Sequence, residues 1–133
     1  MFNQKMLLSV LLFSYVSIAI AKDDRVICPT VDEIKREAFH SWLPLYKDGE
    51  ELASARDVEK FKKNVVNFQI ARWSADYLES AHCFYQGTDP IIDKIVFAQD
   101  AWQPETSPNW IWRNPKYFAE CLSSNLQNCV FLK

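Results

Sequence analysis

The chain has 133 residues, a formal net charge of −2 and 24% charged residues, with no basic block, which argues against nucleic acid or an anionic membrane surface as a partner. Aromatic residues make up 14% and there are only two glycines, Gly49 and Gly87. That composition excludes low-complexity and disordered classes and supports one packed core.

Met1 to Lys5 is a short head with one positive side chain, and Met6 to Ile18 follows without a charge. Ala19-Ile20-Ala21 comes next, then the charged run Lys22-Asp23-Asp24-Arg25. A basic head, an apolar run and a small-x-small site form the layout of a cleavable secretory signal. The run is shorter than the roughly 20 residues of a spanning helix, and acidic residues follow it. Residues 1–21 are therefore expected to be a signal peptide that meets the membrane only in transit, and residues 22–133 a single domain. Retention as an uncleaved anchor is the alternative. Lys22 at the first mature position argues against a lipoprotein.

Export decides what the cysteines mean. Cys28, Cys83, Cys121 and Cys129 all follow the signal. An even count in a small exported domain reads as two disulfides. Three pairings are open; Cys121–Cys129 as a short clip and Cys28–Cys83 as a long tie are favoured. Loop entropy assigns them about 2.5 and about 4 kcal/mol. A zinc site has little support, because no Cys-x-x-Cys pair exists and His40 and His82 fall at no ligand spacing.

Thr30 with Glu33 three residues on is a capping box, and Ile27, Val31, Ile34, Ala38 and Trp42 repeat at helical spacing. A helix is predicted to run to Ser41 or Trp42, where Pro44 stops it. Leu43 to Gly49 reads as a turn or loop. Leu52, Ala55, Val58 and Phe61 predict a short helix within Glu50 to Asn64, with a strand near 52–56 as the alternative. From Val65 to Gln86 the pattern is that of a β-hairpin turning at Ser74-Ala75-Asp76. Tyr77, Ala81, Cys83 and Tyr85 form one face of its second strand; Leu78, Ser80, His82, Phe84 and Gln86 form the other. Gly87 to Pro90 is a turn and Ile91 to Gln99 a third strand.

Asp100 to Arg113 mixes three tryptophans with two prolines and fits neither period, so a loop folded back onto the body is expected. Asn114-Pro115 is predicted to start a short helix, with Phe118, Cys121 and Leu122 facing inward. Cys129 to Leu132 closes the chain as a strand beside the hairpin. The predicted fold class is α+β: a small antiparallel sheet of three to five strands, packed by an N-terminal helix and a short C-terminal helix and held by two disulfides.

No reaction is spelled out. There is no Gly-x-Ser-x-Gly elbow and no phosphate loop. His82 and Cys83 are adjacent, so on a strand they point to opposite faces and cannot act together. The paired carboxylates, such as Asp32-Glu33 and Glu50-Glu51, sit at a helix start or in loops. An enzyme is the least supported class, and no cofactor or metal is implied. Trp102, Trp110 and Trp112 are the candidate contacts for a protein partner or a glycan. The same rings could instead cover the sheet as core.

The order Cys28-Pro29, the helix with Ile34, Ala81-His82-Cys83-Phe84-Tyr85, Trp102, Cys121 and Cys129-Val130-Phe131 resembles the EirA-like small exported proteins of intracellular gammaproteobacteria, over almost the whole mature chain. Those proteins are associated with the Dot/Icm type IV secretion system. The resemblance implies a periplasmic protein that supports secretion or intracellular replication through a protein partner in the bacterial envelope, with no catalytic residue to carry over. A glycan- or ligand-binding module and an inhibitor of a hydrolase are the rival classes.

Overall fold

The computed structural model describes residues 24–75, 80–100, 102–113 and 117–133. The predicted signal, the hairpin positions Asp76, Tyr77, Leu78 and Glu79, and the cap pair Asn114-Pro115 lie outside the described residues. The fold is mostly β, which corrects the α+β expectation. Six strands form one antiparallel sheet in the order β2-β5-β4-β3-β8-β7, and three short ones form a second, β1-β9-β6. The strands are β1 (Arg25–Val26), β2 (Leu43–Tyr46), β3 (Val65–Ser74), β4 (Ser80–Gly87), β5 (Ile95–Asp100), β6 (Gln103–Pro104), β7 (Trp110–Arg113), β8 (Phe118–Cys121) and β9 (Phe131–Leu132). Two short helices accompany them: α1 (Val31–Lys35) and α2 (Ala55–Asn64).

The capping box is present: Thr30 Oγ1 accepts from the Glu33 N–H, and the Glu33 carboxylate accepts from the Thr30 N–H. Yet α1 stops after five residues rather than reaching Trp42. Glu37 takes φ 56°, and the Ala38 and Glu37 amides donate back to the Glu33 and Ile34 carbonyls. That is a Schellman stop. The helical spacing of Ala38 and Trp42 is then met by turns, with His40 also at positive φ, 54°.

Residues 43–46 form a strand, not the predicted loop. Pro44 is tolerated because β2 is an edge strand and the position points away from its neighbour. The Pro44 carbonyl accepts from Ala53 rather than from β5, so the missing N–H removes no ladder bond. Leu52 forms a bridge to Leu45, and α2 begins later, capped by Ser54 Oγ on the Asp57 N–H.

The hairpin forms and β4 keeps its alternation, but β3 does not: its register shifts between Val65 and Asn67 and between Phe68 and Ile70, and the bulge brings Phe68 and Ala71 to one face. Phe68, Ala71, Trp73, Ala81, Cys83 and Tyr85 are buried on the inner face. A 3₁₀ turn at Pro90–Asp93 precedes β5. Phe118–Cys121 is a strand beside β3, not the predicted helix: Ala71 pairs with Cys121 and Trp73 with Ala119. Period two decides it, since Ala119 and Cys121 are buried while Phe118 and Glu120 face outward. Leu122 is exposed, contrary to its inward assignment. The last strand lies against β1 and β6, not the hairpin.

The core lies on the inner face of the large sheet. Ile34 of α1, Phe61 of α2 and Phe131 of β9 join it there. Phe61 meets Phe97 and Tyr85 edge-on at 5.5 and 6.1 Å, and Phe131 meets Trp110 at 4.9 Å. The Tyr85 hydroxyl donates to the Pro29 carbonyl at 2.5 Å, and burial pushes its ionisation well above the usual phenol range. The disulfides are Cys28–Cys83 and Cys121–Cys129, the favoured pairing. Each ties the large sheet to a segment beside the small one.

α2 runs into β3 without a loop, and the hairpin's far end returns at Gly87, paired with Val65. A Cβ on Gly87 would lie 2.2 Å from the Asn64 carbonyl oxygen and 2.7 Å from Ile92 Cγ1. Backbone on one side leaves nothing soft to move. Gly87→Ala is expected to destabilise the fold by about 3 kcal/mol, read as a lowered urea midpoint at unchanged slope.

Candidate functional site

The face of the large sheet opposite the core carries a cleft. Alternation generates it. If Cys83 points inward, His82 and Phe84 point outward, and the register extends the row. His82 pairs with Ala98 and Arg72, Arg72 with Glu120, and Glu120 with Ile111. The next row holds Leu45 opposite Val96. The resulting hollow is about 430 Å³, with Leu45, Val96, Phe84 and Phe118 supplying apolar wall and Lys47, Glu50, Arg72, His82 and Glu120 supplying polar groups. An apolar cavity with a few placed polar groups is the usual form of a binding site.

The charges are shared unevenly. Arg72 Nε and Arg113 Nε both lie 3.8 Å from the Glu120 carboxylate. Lys47 and Arg72 stand over the Phe84 ring at 5.0 and 5.2 Å. Burial holds the His82 imidazole below its usual range; Glu50 and Asp100 pull it up, and Arg72 pushes it further down. Through the neutral range the cleft therefore presents two cations and two carboxylates, a neutral imidazole with donor and acceptor nitrogens, and an apolar floor.

His82 also makes the fold acid-sensitive. The unfolded chain binds its proton near pH 6.5, above the folded-state value, so stability falls as pH drops below that point. His82→Gln should lose less of its melting temperature between neutral pH and pH 5 than the parent does; equal losses would show that this imidazole is not the acid-sensitive group.

The three tryptophans singled out from sequence occupy separate surroundings. Trp110 is 4% exposed, and its indole N–H donates to the Val130 carbonyl at 3.1 Å, so it is core. Trp102 is half-buried edge-on to Trp42 at 5.1 Å, and its carbonyl accepts from the Trp73 indole. It lines a second hollow of about 310 Å³ with Glu33, His40 and Lys133. Trp112 is 44% exposed on the edge strand β7, its ring 5.5 Å from Trp73. None of the three lines the cleft. The four cysteines are all in disulfides and buried. Sequence reading does not bring the cleft residues together as a set, although the face that it opposes to Cys83 contains His82 and Phe84.

Among the described residues no group of three or more His, Cys, Asp or Glu side chains comes together to hold a metal ion. Within the same residues no helix is long and apolar enough to cross a membrane. The two disulfides are compatible with an oxidising, extracytoplasmic compartment. The chain matches no family model, no curated protein and no solved structure.

Proposed function

We propose that this is an exported, non-enzymatic protein that acts in the periplasm or after secretion by contacting a protein partner at the cell envelope, with the outer face of the large sheet as its contact surface. The cleft carries this reading: it joins an apolar floor to a rim of mixed charge, Lys47 and Arg72 with Glu50 and Glu120, and its described lining comes from the sheet's own strands and the loop after β2. Exposed Leu43 extends the apolar strip beyond it. The leader-like first twenty-one residues and the two disulfides support the compartment. The resemblance to EirA-like proteins supports a partner belonging to a type IV secretion apparatus. The test is a photo-crosslinking residue placed at Glu50 on the cleft rim, compared with one at Asp32 on α1. A defined envelope adduct from position 50 and none from 32 is expected; adducts from both or neither would sink the assignment.

A second reading follows from the volume of the cleft, which suits a small envelope glycan or similar ligand. Movement of the His82 and Phe84 ring signals in NMR on adding peptidoglycan fragments, without any protein adduct, would favour that reading.

A further inference from the structure

We propose that β7 is the docking edge for an extended segment of a partner protein that adds to the large sheet as a further strand, carrying an acidic residue opposite Arg113. This rests on the protein-binding reading above and adds how the partner engages.

The two edges of the large sheet differ. At β2 the edge is occupied: the Tyr46 N–H donates to the Glu51 carbonyl at 2.8 Å, and the Ala53 N–H donates to the Pro44 carbonyl at 2.9 Å. At β7 it is open. The Leu122 N–H donates to the Asn109 carbonyl, which makes that a hydrogen-bonded pair. By alternation Ile111–Glu120 and Arg113–Phe118 are the next such pairs, so the backbone groups of Trp110 and Trp112 point away from β8. The Trp110 N–H is taken by Ser107. The Trp112 N–H and carbonyl and the Trp110 carbonyl face outward, and no described residue meets them. Natural proteins shield such edges with charge, proline or a bulge. This one instead shows Ile111 and Trp112 on the strand and Tyr117 and Leu122 beside β8, all exposed.

Charge selects the occupant. Glu120 is shared by Arg72 and Arg113, so two guanidiniums meet one carboxylate and the edge keeps an excess positive charge. A strand hydrogen-bonded to Trp112 places its flanking residues opposite Ile111 and Arg113 on the outer face. An apolar residue suits the first and a carboxylate the second. A second copy of β7 does not supply that carboxylate. Centred on Trp112 it sets Arg113 against Ile111; centred on Ile111 it offers Asn109; centred on Arg113 it opposes two cations. The complement is therefore a foreign strand reading acid, β-branched or aromatic, apolar.

The probe is the peptide acetyl-Thr-Glu-Val-Val-Thr-amide, titrated into the disulfide-bonded protein with the Trp112 amide and indole followed by NMR. Both signals should move and the amide should exchange more slowly. N-methylating the valine that meets Trp112 removes one ladder bond and should weaken binding about tenfold. Exchanging the glutamate for lysine should weaken it by at least about tenfold, and Arg113→Glu should reverse that preference. The proposal is overturned by shifts confined to the cleft, by no Trp112 response at millimolar peptide, or by a concentration-dependent dimer that protects the Trp112 amide without peptide. An envelope adduct from position 50 together with an unresponsive Trp112 overturns the edge alone and leaves the protein-binding reading standing.

Discussion

Reducing the Cys28–Cys83 bond, or replacing both residues by alanine, should lower stability by about 4 kcal/mol. The separation of 55 residues sets that figure, because the cross-link removes the conformational freedom of a long unfolded loop. Its position adds to the effect. Cys28 and Cys83 are both fully buried, and Pro29, next along, receives the Tyr85 hydroxyl. Loss of the bond thus frees the segment that also holds α1 to the hairpin. About 4 kcal/mol is a large share of the 5–15 kcal/mol typical of a whole domain. Chemical denaturation of the Cys28→Ala, Cys83→Ala pair against the Cys121→Ala, Cys129→Ala pair separates the two staples. The second loop spans 8 residues and should cost less, about 2.5 kcal/mol. Equal losses would mean that loop length is not the governing quantity.

Phe61→Ala should cost about 3 to 5 kcal/mol. Phe61 is 1% exposed and is the only fully buried residue on α2, so α2 is held to the sheet chiefly by one ring. That ring meets Tyr85 and Phe97 edge-on, at the centre of an aromatic group that also includes Phe39 on Phe97. Truncation leaves a cavity whose walls belong to three separate elements and cannot close in together. The check is a denaturation midpoint, with Val58→Ala on the same helix as reference. Val58 is only partly buried, so its change should be much smaller. If both variants lose equally, helix propensity rather than the ring dominates.

The parts legible in the sequence share one property: their signal is local. The Thr30–Glu33 box, the Val58 to Phe61 spacing and the Ala81, Cys83, Tyr85 alternation each lie within one element, and each is found in place. The losses came where a local signal met a stronger tertiary one. Pro44 reads as a breaker, but only its side of β2 matters, and that side faces away from β5. Asn114-Pro115 reads as a helix start, yet Phe118 to Cys121 obeys the sheet's alternation. The small sheet escaped notice because a two-residue strand carries no period at all; only pairing across the chain defines β1, β6 and β9. The same reason hid the cleft. Alternation sets His82 and Phe84 on the face opposite Cys83, but Arg72, Val96 and Glu120 join them through register, which no single stretch records.

The β1–β9 pair has a mechanical consequence. Arg25 lies opposite Leu132 and Val26 opposite Phe131, and the Lys133 N–H reaches the Asp24 carbonyl. Tension applied at Asp24 and Lys133 would therefore act at one end of an antiparallel pair and open its bonds in sequence, the weak direction for a ladder. The opening would not travel far. Cys28 stands two residues beyond Val26 and Cys129 two before Phe131, and each is bonded into the large sheet. The load would pass through the two disulfides into β4 and β8 and be carried between them by the ladders of β3, so a pull at these two points gives a short, yielding latch followed by the resistance of the large sheet.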